Sequence, residues 1–223
     1  MISKIRALIM RLFRPAGLYW LARPSAKPLS HKFGFDRGNP IDRYWIEKFL
    51  TANKKLITGR CLEVTDSFYT IKFGLKVTKS DVLDINPKNK LATIHGDLKH
   101  LTTVKSNTYD CLILTHVLGL IDDVQAAACE CHRILKPGGV LLFTSSCLGP
   151  ILKEKVYWRF TPYSVKYIFG KYFRSKNIDI KTYGNVLAGQ YFWVGMSQQD
   201  VNIADLEITD VRYPCIVTLV AIK

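Results

Sequence analysis

Apolar and polar positions change rhythm several times along the chain, and each change marks an element. Over residues 2–13, Ile2, Ile5, Leu8, Ile9, Leu12 and Phe13 recur at helical spacing, while Lys4, Arg11 and Arg14 lie mostly off that stripe. This predicts a short basic amphipathic helix, ended by Pro15 and Gly17. Leu18, Tyr19, Trp20 and Leu21 follow as an aromatic patch of the type that settles at a membrane interface. Pro24, Pro28, Gly34, Gly38 and Pro40 make residues 23–40 an irregular connector. Asp42 then caps a predicted helix through Tyr44, Trp45, Ile46, Phe49 and Leu50 that ends near Gly59.

From residue 60 onward, apolar runs alternate with helical patterns. Strands are predicted over 60–65, 76–85, 92–95, 109–115, 140–144, 178–183 and 215–222. The unbroken apolar run at 109–115 suits a strand buried on both faces. Between strands, one helix starts at Asp122, runs through Val124, Ala127, Ala128, Cys131, Ile134 and Leu135, and stops at Lys136-Pro137-Gly138-Gly139. Another begins at Thr161-Pro162, with proline in its first turn, and carries Val165, Ile168 and Phe169. The alternation predicts an α/β chain: a Rossmann-like, open, mostly parallel seven-stranded sheet with helices on both faces. Residues 1–40 form a basic segment and connector, and 41–223 one domain.

Composition narrows the function classes. The 223 residues are 48% hydrophobic and 22% charged, enough to bury a core and to exclude disorder throughout. The net charge is +14, but residues 1–60 hold 13 Lys/Arg against 3 Asp/Glu and the remainder 19 against 15. The basic character therefore belongs to the N-terminal part, and nucleic acid is disfavoured as a partner of the domain itself. Residues 1–22 are expected to meet either an anionic membrane surface or a protein partner. No run reaches the roughly 18 apolar residues needed to span a bilayer. Arg6, Arg11, Arg14 and Pro15 interrupt any secretory leader. The cysteines lie mostly in apolar runs, and Cys129-Glu-Cys131-His132 lacks a second ligand pair, so no metal is expected. These features point to a reduced, cytoplasmic protein, or one peripheral at the inner face of a membrane.

The block Tyr109-Asp-Cys-Leu-Ile-Leu-Thr-His-Val-Leu118, followed by Arg133-Ile-Leu-Lys-Pro-Gly-Gly-Val-Leu-Leu-Phe-Thr144, resembles the class I S-adenosylmethionine-dependent methyltransferases, type 11-like domains. Gly96-Asp97-Leu98 and Tyr157-Trp-Arg-Phe-Thr-Pro162 are similar to further family segments, so the resemblance runs over residues 41–223. It implies S-adenosylmethionine as cofactor, held over the C-terminal ends of the first four strands. By this resemblance Glu63 is the acid ending the first strand, and Thr65 and Asp66 occupy the loop after it. Asp84 resembles the acid that accepts from the ribose hydroxyls, with Asp81, three residues earlier, as its competitor. Asp97 and Leu98 would flank the adenine. Thr115 and His116 would sit beside the methionine part or the transferred methyl, His116 being the best-placed base for an acceptor hydroxyl.

The first loop departs from the family pattern. Leu62-Glu-Val-Thr-Asp-Ser-Phe-Tyr69 keeps the acid but none of the turn's glycines, whose use is close backbone approach and φ > 0. Two readings follow. In one the chain methylates a small-molecule or glycan-linked acceptor. In the other it is a catalytically inactive partner or scaffold in glycan assembly.

Overall fold

The computed structural model describes residues 26–151 and 155–223, so the predicted helix over 2–13 and the patch at 18–21 lie outside the described residues. The chain divides into two compact units. In its described part, one comprises residues 26–45, 148–150 and 183–215. The other comprises 46–147, 151 and 155–182, and 216–223.

The larger unit is built on a seven-stranded sheet. In chain order its strands are β1 (Thr58–Val64), β2 (Lys76–Asp84), β3 (Ile94–His95), β4 (Tyr109–Thr115), β5 (Leu135–Ser146), β6 (Ile178–Tyr183) and β7 (Ile216–Ile222). They lie in the order β3-β2-β1-β4-β5-β7-β6, with β1 to β5 parallel and β7 antiparallel to β5. All seven strands expected from the sequence are present, and the α/β fold is as read. Among the described residues the α-helices are α1 (Ile41–Ala52), α2 (Phe68–Phe73), α3 (Val124–Ile134), α4 (Pro162–Phe169), α5 (Val186–Trp193) and α6 (Ile203–Glu207).

Boundaries differ where local chemistry is ambiguous. α1 stops at Ala52, and a single 3-10 turn over Lys54–Leu56 fills the distance to β1. Its first residue is Ile41, so Asp42 stands inside the first turn. Asp123 rather than Asp122 caps α3, accepting from the amides of Gln125 and Ala126. Thr161 caps α4 in a reciprocal pair with Ser164, and Pro162 opens the helix as expected. The Lys-Pro-Gly-Gly segment is not a loop. β5 begins at Leu135, directly after α3, and Gly138 at φ +78° absorbs the register shift before Val140 pairs with Cys111. α2, α5 and α6 had no counterpart in the sequence pattern.

Strand alternation gives the sheet two faces. Leu62, Leu83, Leu112, Leu114, Leu141, Phe143, Val217 and Leu219 belong to one core with α3 and α4. There the Phe143 ring meets those of Phe160 and Phe169 at 5.9 and 5.4 Å. Glu63, Asp84, Thr115, Thr144 and Ser146 alternate onto the other face, all near the C-terminal ends of their strands.

In the smaller unit, Arg37 Nε donates to Asp200 at 2.7 Å, and Trp45 Nε1 donates to the Leu206 carbonyl at 2.9 Å. Phe33 meets Phe192 edge-on at 5.2 Å. Asn185 caps α5 through the Ala188 amide.

Candidate active site

Strand order reverses between the parallel strands β1 and β4. One connection from the centre runs out to β2 and β3, the other to β5, which opens a crevice over the C-terminal ends of β1 and β4. The sequence-predicted residues divide around it.

Glu63 is 4% exposed and turns toward α2. Its carboxylate accepts from the Tyr69 amide (3.1 Å), the Thr70 amide (2.7 Å) and the Thr70 hydroxyl (2.8 Å). The two amides are donors of the first turn of α2, left without partners inside the helix. Burial pushes the Glu63 carboxyl up to about 7, against the three hydrogen bonds that favour its charge. Glu63 thus fixes the helix after the first loop, and Asp66 starts it by accepting from the Phe68 amide at 2.9 Å.

Thr65 lies at φ +77°. A β-branched residue there is strained by on the order of 1–3 kcal/mol. Its amide donates to the Leu83 carbonyl at 2.9 Å, and its carbonyl accepts from Asn89 Nδ2 at 2.7 Å. The loop that lacks the family's glycines thus keeps a conformation that glycine would favour.

Asp84 and Asp81 stand in different places. Asp84 ends β2, half-buried, accepting from the Asn86 amide (2.8 Å) and from Asn89 Nδ2 (2.6 Å). Asp81 is 2% exposed and three residues back in the strand. Arg60 grips it at 2.7 Å, the Tyr109 hydroxyl donates at 3.1 Å, and Lys79 lies at 3.4 Å. Burial alone would raise the Asp81 carboxyl. Arg60 overcomes it and holds the group below the usual carboxylate range. Asp81 therefore sits in a structural ion pair, and only Asp84 reaches the crevice end of the strand.

The Leu98 side chain is 5% exposed within the main core, so it offers the crevice no side chain. Asp97 accepts from the Lys99 amide at 2.9 Å and lies 3.6 Å from the Lys99 ammonium. At the end of β4, the Thr115 hydroxyl is buried without a hydrogen-bond partner among the described residues. Next to it His116 adopts φ +58°, its amide donating to the Thr144 carbonyl at 2.9 Å and its Nδ1 lying 3.3 Å from the Ser146 hydroxyl. The 155–160 segment flanks this loop. The Tyr157 and Trp158 amides reach the Gly119 carbonyl at 2.8 and 3.3 Å, and Trp158 Nε1 donates to the Ile121 carbonyl at 2.9 Å. Leu120, Tyr157 and Trp158 form an exposed apolar rim there. Among the described residues no three His, Cys, Asp or Glu side chains gather as a metal site.

Residues 55–143 match the sequence model of a methyltransferase domain. The match falls on the segments whose motifs resemble the class I S-adenosylmethionine-dependent methyltransferases. A demethylmenaquinone methyltransferase of Staphylococcus saprophyticus is 31% identical over 120 residues, 52% of this chain and 46% of that protein. The chain thus spans about half the length of the curated relative it matches. Among solved structures, an S-adenosylmethionine-dependent methyltransferase of Archaeoglobus fulgidus superposes with TM-score 0.53 at 14% identity, covering 81% of this chain and 94% of that one. A phosphoethanolamine N-methyltransferase of Haemonchus contortus, solved with phosphomonomethylethanolamine and S-adenosylhomocysteine, gives 0.52 at 16%, covering 87% and 61%. At these identities the solved structures speak for the fold.

Three features of the methyltransferase domain suit the family's cofactor: the half-buried Asp84 carboxylate at the end of β2, the left-handed backbone at Thr65, and the partnerless Thr115 hydroxyl. Sequence reasoning missed Asn89 and Ser146. The turn-rich Asn86-Pro-Lys-Asn-Lys90 string signals a loop but not which side chain reaches across it.

Proposed function

We propose that the chain is an S-adenosylmethionine-dependent methyltransferase acting on a small-molecule or glycan-linked acceptor. The observation that carries this reading is Thr65: its positive φ preserves the first loop in a sequence without the loop's glycines. That weighs against the inactive-scaffold reading, which draws mainly on the missing glycines.

Asp84 accepts from the ribose hydroxyls, and Asp97 stands at the adenine end. Thr115 and His116 face the reacting end. When bound, the cofactor supplies an electrophilic methyl group on a sulfonium. Positioning the acceptor against it needs little further chemistry from the protein. His116 takes the proton of an acceptor hydroxyl on its ring, with Ser146 orienting the imidazole.

The exposed Leu120, Tyr157 and Trp158 suit an acceptor with an apolar portion. The relative's name supports the same class, since demethylmenaquinone is a small molecule. Residues 1–22 bring the domain to an anionic membrane surface, where such an acceptor is met. No helix among the described residues is long and apolar enough to cross a membrane.

The test is transfer of tritium from methyl-labelled S-adenosylmethionine to reduced demethylmenaquinone and, in parallel, to a lipid-linked glycan. Label in either acceptor supports the enzyme. Tight cofactor binding with no label in these or in a small-molecule extract favours the scaffold.

A further inference from the structure

The connection from β2 to β3, residues 85–93, contains no helix. It is a chain of short polar turns. The Asn86 amide donates to Asp84 Oδ1 (2.8 Å), the Lys88 amide to Asn86 Oδ1 (3.0 Å), and the Leu91 amide to Asn89 Oδ1 (2.9 Å). Each is the side-chain-to-backbone bond that lets Asn and Asp build a turn. Together they carry Asn89 back beside the strand end it left. There one amide nitrogen serves two elements, donating to the Thr65 carbonyl at 2.7 Å and to Asp84 Oδ2 at 2.6 Å.

The two acceptors belong to two of the three features that suit the cofactor. The Thr65 peptide is pinned at both ends, its amide by Leu83 and its carbonyl by Asn89. Rotation of Thr65 out of the left-handed region would swing that carbonyl away from Asn89. The bond therefore opposes the relaxation that a β-branched residue favours. On the other side, Asn89 and the Asn86 amide take one Asp84 oxygen each, which fixes the carboxylate while leaving lone pairs on both oxygens for ribose hydroxyls. Asparagine is suited to this task. Its NH₂ carries two hydrogens, its oxygen accepts from Leu91, and its side chain is short. Aspartate at this position would donate nothing.

We propose that Asn89 is a positioning residue for the cofactor, a clamp that holds the glycine-free first loop and the ribose acid Asp84 in binding geometry. The glycines missing from the loop are thus replaced by a side chain from the next connection. The proposal rests on the reading of the crevice as an S-adenosylmethionine site.

The experiment is a double-mutant cycle on the full chain with Asn89→Ala and Thr65→Gly. It is read as the Kd for S-adenosylhomocysteine by calorimetry and as the melting temperature of the ligand-free protein. Asn89→Ala should weaken binding about tenfold or more, because two bonds at the site are lost. With T65G already in place the loop no longer needs holding, so the same substitution should cost at least about threefold less. The ligand-free melting temperatures should show the same coupling. Asn89→Asp keeps the size and the Leu91 bond while removing both donated bonds, and should weaken binding with circular dichroism unchanged. Losses that multiply independently in the two backgrounds, or unchanged affinity in N89A and N89D, would overturn the clamp. Absence of heat from folded wild-type protein would instead overturn the reading of the crevice, and the positioning role with it.

Discussion

Replacing Glu63 by Gln should change how stability responds to pH more than it changes stability itself. The wild-type carboxyl has an unfolded value of 4.5 and is pushed up to about 7 in the fold by burial. A raised value means that the folded state holds the proton where the unfolded state has released it. The group's favourable contribution is therefore complete below about 4.5 and is lost as pH rises through about 7. Across that window the loss amounts to about 3 kcal/mol. Gln does not titrate. Like the protonated carboxyl it has one bare oxygen for two acceptor positions, so both place a donor against either the Tyr69 amide or the Thr70 donors. The two proteins should therefore be of similar stability at pH 5. By pH 8.5 Gln should be the more stable, because wild type then carries the buried charge. Urea denaturation of both proteins at half-unit intervals measures this, and subtraction cancels every group they share. For a chain of this length the swing corresponds to about 6–12 °C in relative melting temperature. Parallel curves across the whole range would refute the account of Glu63 as a buried carboxyl titrating near neutrality.

The two β2 acids should separate cleanly. Asp84→Asn should weaken S-adenosylhomocysteine binding about tenfold or more with little change in stability. Asp81→Asn should cost about 2–3 kcal/mol in urea unfolding, because it strips Arg60 and Tyr109 of a buried partner, and leave affinity within about twofold. Equal behaviour of the two variants would contradict their placement. His116→Asn preserves a residue tolerant of φ +58° and should lower methyl transfer about a hundredfold or more, with cofactor affinity unchanged. An unaltered rate would reduce His116 to a space-filling role. Deleting residues 1–22 should abolish salt-sensitive binding to anionic liposomes in a flotation assay. Equal binding by the shortened chain would remove the membrane reading.

Periodicity made the sheet legible because its strands are long runs of one character. The 109–115 run is buried on both faces, and α3 carries its apolar stripe between clear start and stop signals. The Lys-Pro-Gly-Gly segment misled for a physical reason. Its turn residues mark a bulge within a strand as readily as the end of a helix, and Gly138 does the former. α2 was invisible because six residues span fewer than two helical turns, and because Glu63, six and seven residues away from its partners, supplies the capping. At the site, Asp84 and Asp81 were equivalent on spacing alone. Only the neighbour Arg60 on β1, placed by pairing across strands, separates them. Asn89 lay beyond reach for the same reason: its two partners, Thr65 and Asp84, come together only when β1 and β2 lie side by side. The missing glycines signalled altered backbone geometry, yet that geometry persists at Thr65, held by a side chain 24 positions later in the chain.

Titration calorimetry of the folded full chain with S-adenosylhomocysteine tests the crevice most directly. One saturable site with micromolar affinity, weakened by Asp84→Asn and not by Asp81→Asn, is the expected result. Folded wild-type protein that gives no heat at high micromolar ligand would contradict it.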